Sequence, residues 1–480
     1  MRHVTPTDYL HKREPWQHQD AIFRASRDEA AWGFFMEQGT GKGKVMVDTA
    51  AWGYMQGRID AVLLVCDKGI VRTWLEEHLP ENMPDHVPYH AMTYDAAKAG
   101  GKRMQAQLSA FLRTPDALMF MVTNWAAFRT DRGRKFFETM VRTRQVLMML
   151  DESDAIKSPK AKQTRAITTV GKRAAMRRIA TGTPVADGPF DVFSQMRFLD
   201  PGILAITSFT AFKHEYGDWE KRFTATHSYP HLVAYRDLGR LHGIMARHSS
   251  RVLKEECFDL PPKVYERLYV ELGAAASAMY GQLKEDLVYL GEPVTQPLVA
   301  LTRAAQIASG FYQDADGMAE WFDEQPKADA VVALLKRMGS NRQAVVWGQF
   351  HAELDILAKA MHDAGITIAR YDGRMPMHDR DQAERLFKAG DCQVMLATSQ
   401  AAGKGRNWQN ASAMFYHSNS PKLILRLQSE DRAHRGGTQH SVTLWDICAE
   451  GTGDAKRLDA LRGKKNVADI VNGDNVQEWL

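Results

Sequence analysis

Trp32-Gly-Phe-Phe35 runs directly into Met36-Glu-Gln-Gly-Thr-Gly-Lys-Gly-Lys44, and VMVDTAAWGYM (45–55) follows at once. An apolar run, a glycine-rich stretch and a helical pattern in that order read as strand, turn and helix. Gly39 and Gly41, with Thr40 between them, let the backbone curl so that its N–H groups face phosphate oxygens. Lys42 then sets a point charge at the β- and γ-phosphates, Gly43 and Lys44 open the helix, and the helix N-terminus adds its dipole. A plain glycine turn between a strand and a helix satisfies the same letters, so the stretch has to be read with its surroundings. One position departs from the phosphate-loop pattern. After the lysine a Ser or Thr hydroxyl would ligate Mg²⁺, and Gly43 stands there; Thr40 is near but one turn away. Either water fills that coordination position or metal binding is weakened.

Outward from this loop, short apolar runs alternate with helical stretches. They are Ala61 to Cys66, Ala117 to Thr123, Gln145 to Leu150 and Arg177 to Ala180 in the first half. The second half has Gln343 to Phe350, Thr367 to Tyr371, Cys392 to Ser399, Ala413 to Ser418 and Val442 to Ile447. Continuous apolar runs of this length are the mark of buried parallel strands, and two series of them predict two α/β lobes. Between the series, from about Pro201 to Pro326, longer polar-apolar helices are expected, punctuated by Asp259-Leu-Pro-Pro262. Consecutive prolines favour an extended connection. The expected organisation is a first lobe over 1–258 with a helical extension at about 201–258, and a linker over 259–270. A second lobe follows over 271–480, with a helical insertion at about 271–326.

In open parallel sheets chemistry collects at the carboxyl ends of the strands. Asp151-Glu-Ser-Asp154 follows one apolar run: Asp151 there is a candidate Mg²⁺ ligand, and Glu152 a general base that polarises water. Thr181-Gly182-Thr183-Pro184 follows another, a hydroxyl-rich turn that either senses phosphate or is simply tight. Ser399 to Arg406 reads SQAAGKGR, whose Gly403 and Gly405 suit close backbone approach to a phosphate chain. Gln428, Arg432 and Arg435 fall at i, i+4 and i+7, one face of a helix if a helix continues through them. Two arginines there are either a solvated surface or fingers for charge developing on a γ-phosphate.

Composition limits the alternatives. The chain has 480 residues, 62 basic against 58 acidic, a formal charge of +4. That excludes a histone-like polycation and leaves room for a local basic groove. The four cysteines are far apart with no C-x-x-C pair, which argues against a zinc ribbon or a disulfide scaffold. MRHVTPTDYLHKREP has no apolar signal segment, and no apolar run approaches the ~20 residues of a membrane span. A soluble, cytoplasmic protein with no membrane partner is expected.

Together these residues resemble the Swi/Snf-like branch of the superfamily-two helicase-related ATPases, in a compact form such as bacteriophages carry. Gln19 within PWQHQDAI is similar to the glutamine that reads adenine. Leu63 to His78, with Trp74, resembles motif Ia; Val122 to Arg129, with Thr123 and Asn124, resembles motif Ib. GTGKGK, DESDAIKSPKAK and TGTPVADGPFDVF resemble motifs I, II and III; VVWGQF, YDGRMPMHDR, SQAAGKGRNWQNA and QSEDRAHRGGTQ resemble motifs IV, IVa, V and VI. Two departures stand out, Gly43 and Asp154, the latter in place of the usual histidine of motif II. The resemblance implies an α/β fold of two RecA-like parallel-sheet lobes with an ATP cleft between them. It implies ATP and Mg²⁺ as cofactors, Lys42, Asp151, Glu152, Gln428, Arg432 and Arg435 as catalytic residues, and nucleic acid, double-stranded DNA above all, as partner. Trp74, Thr123, Asn124, Thr181, Gly182, Thr183, Ser399, Gly403 and Gly405 would grip nucleic acid or couple it to hydrolysis. The expected activity is duplex translocation, with strand separation or annealing as a second outcome and a hydrolysis-impaired DNA-binding protein as a third. For a phage-encoded protein the setting would be the host cytoplasm, beside replication or recombination proteins.

Overall fold

The structure, a computed structural model, describes residues 9–113, 116–223, 228–289, 297–314, 316–402, 407–434, 438 and 440–474. Its chain divides into two compact units. The first comprises Met1–Asp218, Val233–Phe258 and Val467–Asn475; the second comprises Trp219–Leu232, Asp259–Asn466 and Val476–Leu480.

The first unit is built on a seven-stranded sheet. Its strands are β1 (Ala31–Met36), β2 (Ala61–Cys66), β3 (Tyr89–Tyr94), β4 (Leu118–Asn124), β5 (Val146–Asp151), β6 (Met176–Ala180) and, after the hairpin strands β7 (Gly217–Phe223) and β8 (Ser228–Tyr235), β9 (Ser249–Val252). The order is β3-β4-β2-β5-β6-β1-β9, with every pairing parallel. β2 and β5 are buried along their whole length, because helices cover both faces of the sheet. The alternation is clean: Leu63, Val65, Met148 and Leu150 pack on one side, Val62, Leu64, Leu147 and Met149 on the other.

The second unit repeats the plan. β10 (Lys263–Val270), β13 (Gln343–Gly348), β14 (Ile368–Tyr371), β15 (Val394–Thr398), β16 (Ala411–Tyr416) and β17 (Val442–Ala449) form a parallel sheet in the order β10-β17-β16-β13-β15-β14. Short strands β11 (Phe311–Gln313) and β12 (Ala319–Trp321) pair antiparallel beside the helices Ala274–Tyr289 and Pro297–Ala308. The expected α/β fold with two parallel-strand sheets is the fold found.

The edges differ from expectation. β3 reads YHAMTY, β9 reads SSRV, and β10 alternates exposed and half-buried residues. An edge strand has neighbours on one side only, and at these three no continuous apolar run marks it, whereas the fourth edge, β14, was among the expected runs. The segment 259–270, expected as a connection, becomes an edge strand immediately after Pro262. The segment 201–258 holds the helices Phe209–Glu215 and Leu238–Ala246, but also β9 and a two-stranded hairpin sheet.

Candidate active site

In the first sheet β5, β6 and β1 are neighbours, so the loops that leave their carboxyl ends lie along one edge. After β1 the chain turns through residues 37–41, with Gly39 at φ 91° and Gly41 at φ 82°, backbone that side chains oppose. A Cβ on Gly41 would also collide with Gln19 Nε2. Gln19, expected to read adenine, is buried with both polar ends in use. Its Oε1 accepts from Trp16 N at 2.9 Å, and its Nε2 donates to Thr40 O at 3.3 Å. His18 Nε2 donates to the same carbonyl at 2.8 Å. Both side chains therefore hold the loop's shape.

Helix Lys42–Met55 begins at the catalytic candidate. Lys42 Nζ donates to Met36 O at 2.9 Å and to Glu37 O at 3.3 Å, which keeps the ammonium at the loop mouth. Thr40 Oγ1 donates to Glu37 O at 2.7 Å, so its hydroxyl serves the turn. Lys44 faces elsewhere: its ammonium pairs with Asp48 at 2.9 Å, and Asp48 also receives Tyr9 OH and His11 Nδ1, both at 3.0 Å.

β5 ends at Asp151, and the next residue, Glu152, sits at φ 64°, ψ 59°. A non-glycine residue in that region costs of order 1–3 kcal/mol and recurs at functional sites. Asp151 Oδ2 accepts from Trp74 Nε1 at 2.9 Å. Thr181 Oγ1 lies 3.4 Å from Glu152 Oε2 and 3.4 Å from Asp154 Oδ1, and Thr183 N donates to Thr181 Oγ1 at 3.1 Å. Ser153 Oγ donates to Gln195 Oε1 at 2.7 Å. The Gly182 turn packs directly on the loop after β1: a Cβ on it would lie 3.2 Å from Glu37 Cα. The structure thus gathers Gln19, the 39–44 loop, Asp151–Asp154 and Thr181–Thr183. Among the described residues no cluster of three or more His, Cys, Asp and Glu side chains forms a protein-only metal cage. The Asp151 carboxylate at the end of β5 fits Mg²⁺ in the way it binds phosphates, with one or two carboxylates and retained waters.

Sequence reasoning missed two residues here. Arg251, on β9, donates from Nη1 to Phe35 O at 3.2 Å and to Gly182 O at 3.0 Å, and its Nε and Nη2 grip Asp474 at 2.8 and 2.6 Å. It ties the end of β1 to the Thr181–Thr183 turn. The other is His78, which ends a π-helical turn, Trp74–His78. Its ring packs on Trp74 with centroids 4.8 Å apart and faces Gly43. Burial pushes the His78 imidazole pKa down; the nearby Lys42 charge acts the same way and Glu81 opposes. Both contacts join residues distant in sequence, and the only local signal was the anomalous Gly43.

Of the remaining candidates, Trp74 is buried against Asp151, away from any exposed surface. Thr123 is buried and donates to Tyr94 O at 3.2 Å, while Asn124 Oδ1 caps Ala126 N at 3.0 Å. In the second unit Ser399 is half-buried just after β15, and Gly403, Gly405 and Arg435 lie outside the described residues. Gln428 lies on helix Leu423–Glu430, but the helix stops there, so the expected shared helical face with Arg432 does not form. The i→i−4 ladder breaks at Arg432 itself: its N–H donates to Ser429 O at 3.1 Å instead of to Gln428 O, and its carbonyl is taken by Trp408 N at 2.9 Å. Arg432 itself is buried. Beneath it Glu430 accepts from Arg426 Nε at 2.8 Å, Lys263 Nζ at 2.7 Å and Tyr265 OH at 2.9 Å. Burial alone would raise the Glu430 pKa, but Lys263 and Arg426 hold it down at about 2.

With that geometry in view, comparison with known proteins gives two family matches. A model described as "SNF2-related domain" matches residues 11–310, and one described as "Helicase conserved C-terminal domain" matches 326–437. Among curated relatives, the TATA-binding protein-associated factor MOT1 of Saccharomyces cerevisiae is 23% identical over 471 residues, covering 86% of this chain and 24% of that protein. The DNA annealing helicase and endonuclease ZRANB3 of Bos taurus is 27% identical over 338 residues, covering 68% of this chain and 30% of that protein. The chain thus spans under a third of the length of these relatives. A solved structure, the Sulfolobus solfataricus SWI2/SNF2 ATPase core in complex with dsDNA, covers 98% of this chain and 96% of its own at 18% identity, with a TM-score of 0.42.

Proposed function

The chain belongs to the SNF2-related family of ATP-dependent helicases, and from that premise we propose that it is a DNA-dependent ATPase that translocates along duplex DNA. The observation that supports this reading is the gathering of Lys42, Asp151 and Glu152 at the ends of β1 and β5, separated in the sheet only by β6. Lys42 holds the β- and γ-phosphates. Bound Mg²⁺, held by Asp151, supplies charge neutralisation on the phosphates. Glu152 orients the attacking water and takes its proton, held in place by the strained backbone at its own Cα and the Thr181 hydroxyl. Gln428, Arg432 and Arg435 stabilise charge on the departing phosphate. Motifs Ia, Ib, IV and V grip the phosphate backbone of one strand, so binding is tolerant of sequence and weakens steeply with salt. Relatives named for DNA annealing and for a TATA-binding partner support DNA over RNA as the polymer.

The test is steady-state ATP hydrolysis at fixed salt without polymer and with duplex DNA, single-stranded DNA or RNA, beside Lys42→Ala. Stimulation by duplex DNA, falling at least ~10²-fold in the variant, is the expected result. A second reading, a DNA-binding protein that does not hydrolyse ATP, is favoured by Gly43 and Asp154; tight DNA binding without turnover on any polymer would establish it instead.

A further inference from the structure

Gly43 and His78 are two unusual features of one place. Residue 43 follows the phosphate-loop lysine, where a hydroxyl normally reaches the metal–phosphate group. A Cβ built on Gly43 would lie 2.9 Å from His78 Nδ1, 3.1 Å from Cε1 and 3.2 Å from Cγ. The imidazole therefore occupies the space that any side chain at 43 would take. The ring is half-buried, and among the described residues neither ring nitrogen has a hydrogen-bond partner, while the His78 carbonyl accepts Asn82 Nδ2 at 2.8 Å. What aims it is the π-helical turn Trp74–His78, in which Leu79 N bonds Trp74 O. Such a turn inserts one extra residue and redirects side chains, and it recurs at functional sites. Here it directs Trp74 Nε1 to Asp151, the metal-ligand candidate, and the His78 ring to the first turn of the phosphate-loop helix.

We propose that His78 takes over the role of the missing residue-43 hydroxyl, its imidazole hydrogen-bonding the Mg²⁺–nucleotide through a water of the metal ion. This rests on the reading of the loop as a nucleotide site. Mg²⁺ favours oxygen over imidazole nitrogen and keeps several waters, so a contact through water suits both partners. The acceptor nitrogen of a neutral imidazole would accept a hydrogen bond from such a water, whose oxygen would stand where the residue-43 hydroxyl is missing. Gly43 is then required by His78: a side chain there would push the ring out of place.

The experiment is a two-site cycle read by equilibrium binding of an N-methylanthraniloyl-labelled ATP, in excess Mg²⁺ and again in EDTA, with thermal melting of each variant. His78→Ala should weaken binding in Mg²⁺ by about 10-fold, the scale of one hydrogen bond to a charged assembly, and leave binding in EDTA within ~2-fold. His78→Asn, which keeps a polar group near the Nδ1 position, should lose less than His78→Ala. Gly43→Ser should lose affinity in Mg²⁺ alone, and the G43S/H78A double variant should regain it, since the serine hydroxyl then has room. Equal losses in Mg²⁺ and EDTA, no loss in His78→Ala, or a double variant no tighter than the singles would overturn the proposal. Failure of the unaltered protein to bind the nucleotide in either condition would overturn the nucleotide-site reading itself, and the two failures are distinguishable.

Discussion

Arg178 is a charged side chain in the core of the first unit, on β6, with no solvent exposure. Its guanidinium donates to Arg177 O at 2.8 Å, Ser26 O at 2.8 Å and Glu29 O at 2.7 Å, closing the end of helix Gln17–Ser26 onto the sheet. Burial pushes its pKa down to about 9. Arg178→Met keeps the bulk but leaves carbonyls of Ser26 and Glu29 without that donor. A loss of about 2–4 kcal/mol is expected, read as a lower urea midpoint with unchanged slope; no change would mean that water replaces the guanidinium. At this scale the sequence was legible where chemistry and neighbours coincide. Lys42, Asp151 and Glu152 follow apolar runs and announce themselves. Arg178, Arg251 and His78 do not, because each is defined by contacts 30 to more than 200 positions away, and no local pattern encodes those.

Among the elements, helix Leu423–Glu430 depends on the buried set beneath it. Arg426 lies 3.6 Å above the Tyr416 ring and donates from Nη2 to Asp446 at 3.0 Å, and Glu430 joins Arg426 to Lys263 and Tyr265 on edge strand β10. Glu430 titrates at about 2 in the folded chain against an ordinary 4.5. Because the folded value is depressed, its contribution is complete above about pH 4.5 and is lost as pH falls toward 2. The shift corresponds to on the order of 3 kcal/mol. Glu430→Gln should be less stable than the parent at pH 7 and should flatten the acid dependence between pH 4.5 and 2, measured by denaturant titration across that range. An undiminished slope would show that other carboxylates carry it. Elements were legible in proportion to their burial. The inner strands β2, β4, β5, β15 and β16 stood out as apolar runs, whereas β3, β9 and β10 were hidden by their half-solvated faces. The reach of the Gln428 helix was overestimated because the Arg432 N–H turns to Ser429 O, a tightening that the i, i+4, i+7 spacing does not encode.

For the whole molecule, the chain does not divide into two consecutive halves. Val467–Asn475, from the end of helix Asp454–Asn472 onward, belongs to the first unit. Ala468 and Val471 enter its core, Val471 O contacts His242 Nδ1 at 3.2 Å, and Asp474 holds Arg251. Ending the chain at Asn466 would uncover that apolar surface and leave Arg251 without Asp474. The first unit should then unfold at a temperature lower by several degrees, at about 2–4 °C per kcal/mol for a body of this size, as scanning calorimetry would show; an unchanged first-unit transition would mean that the segment adds nothing. There is also a consequence in time. A ribosome finishes Phe258 about 200 residues before it reaches Val467, an interval of roughly 10–40 s at ordinary elongation rates. Throughout it the nascent first unit waits with the Ala468 and Val471 sites uncovered. The first unit, begun before the second, is thus completed only after nearly all of the second has been made.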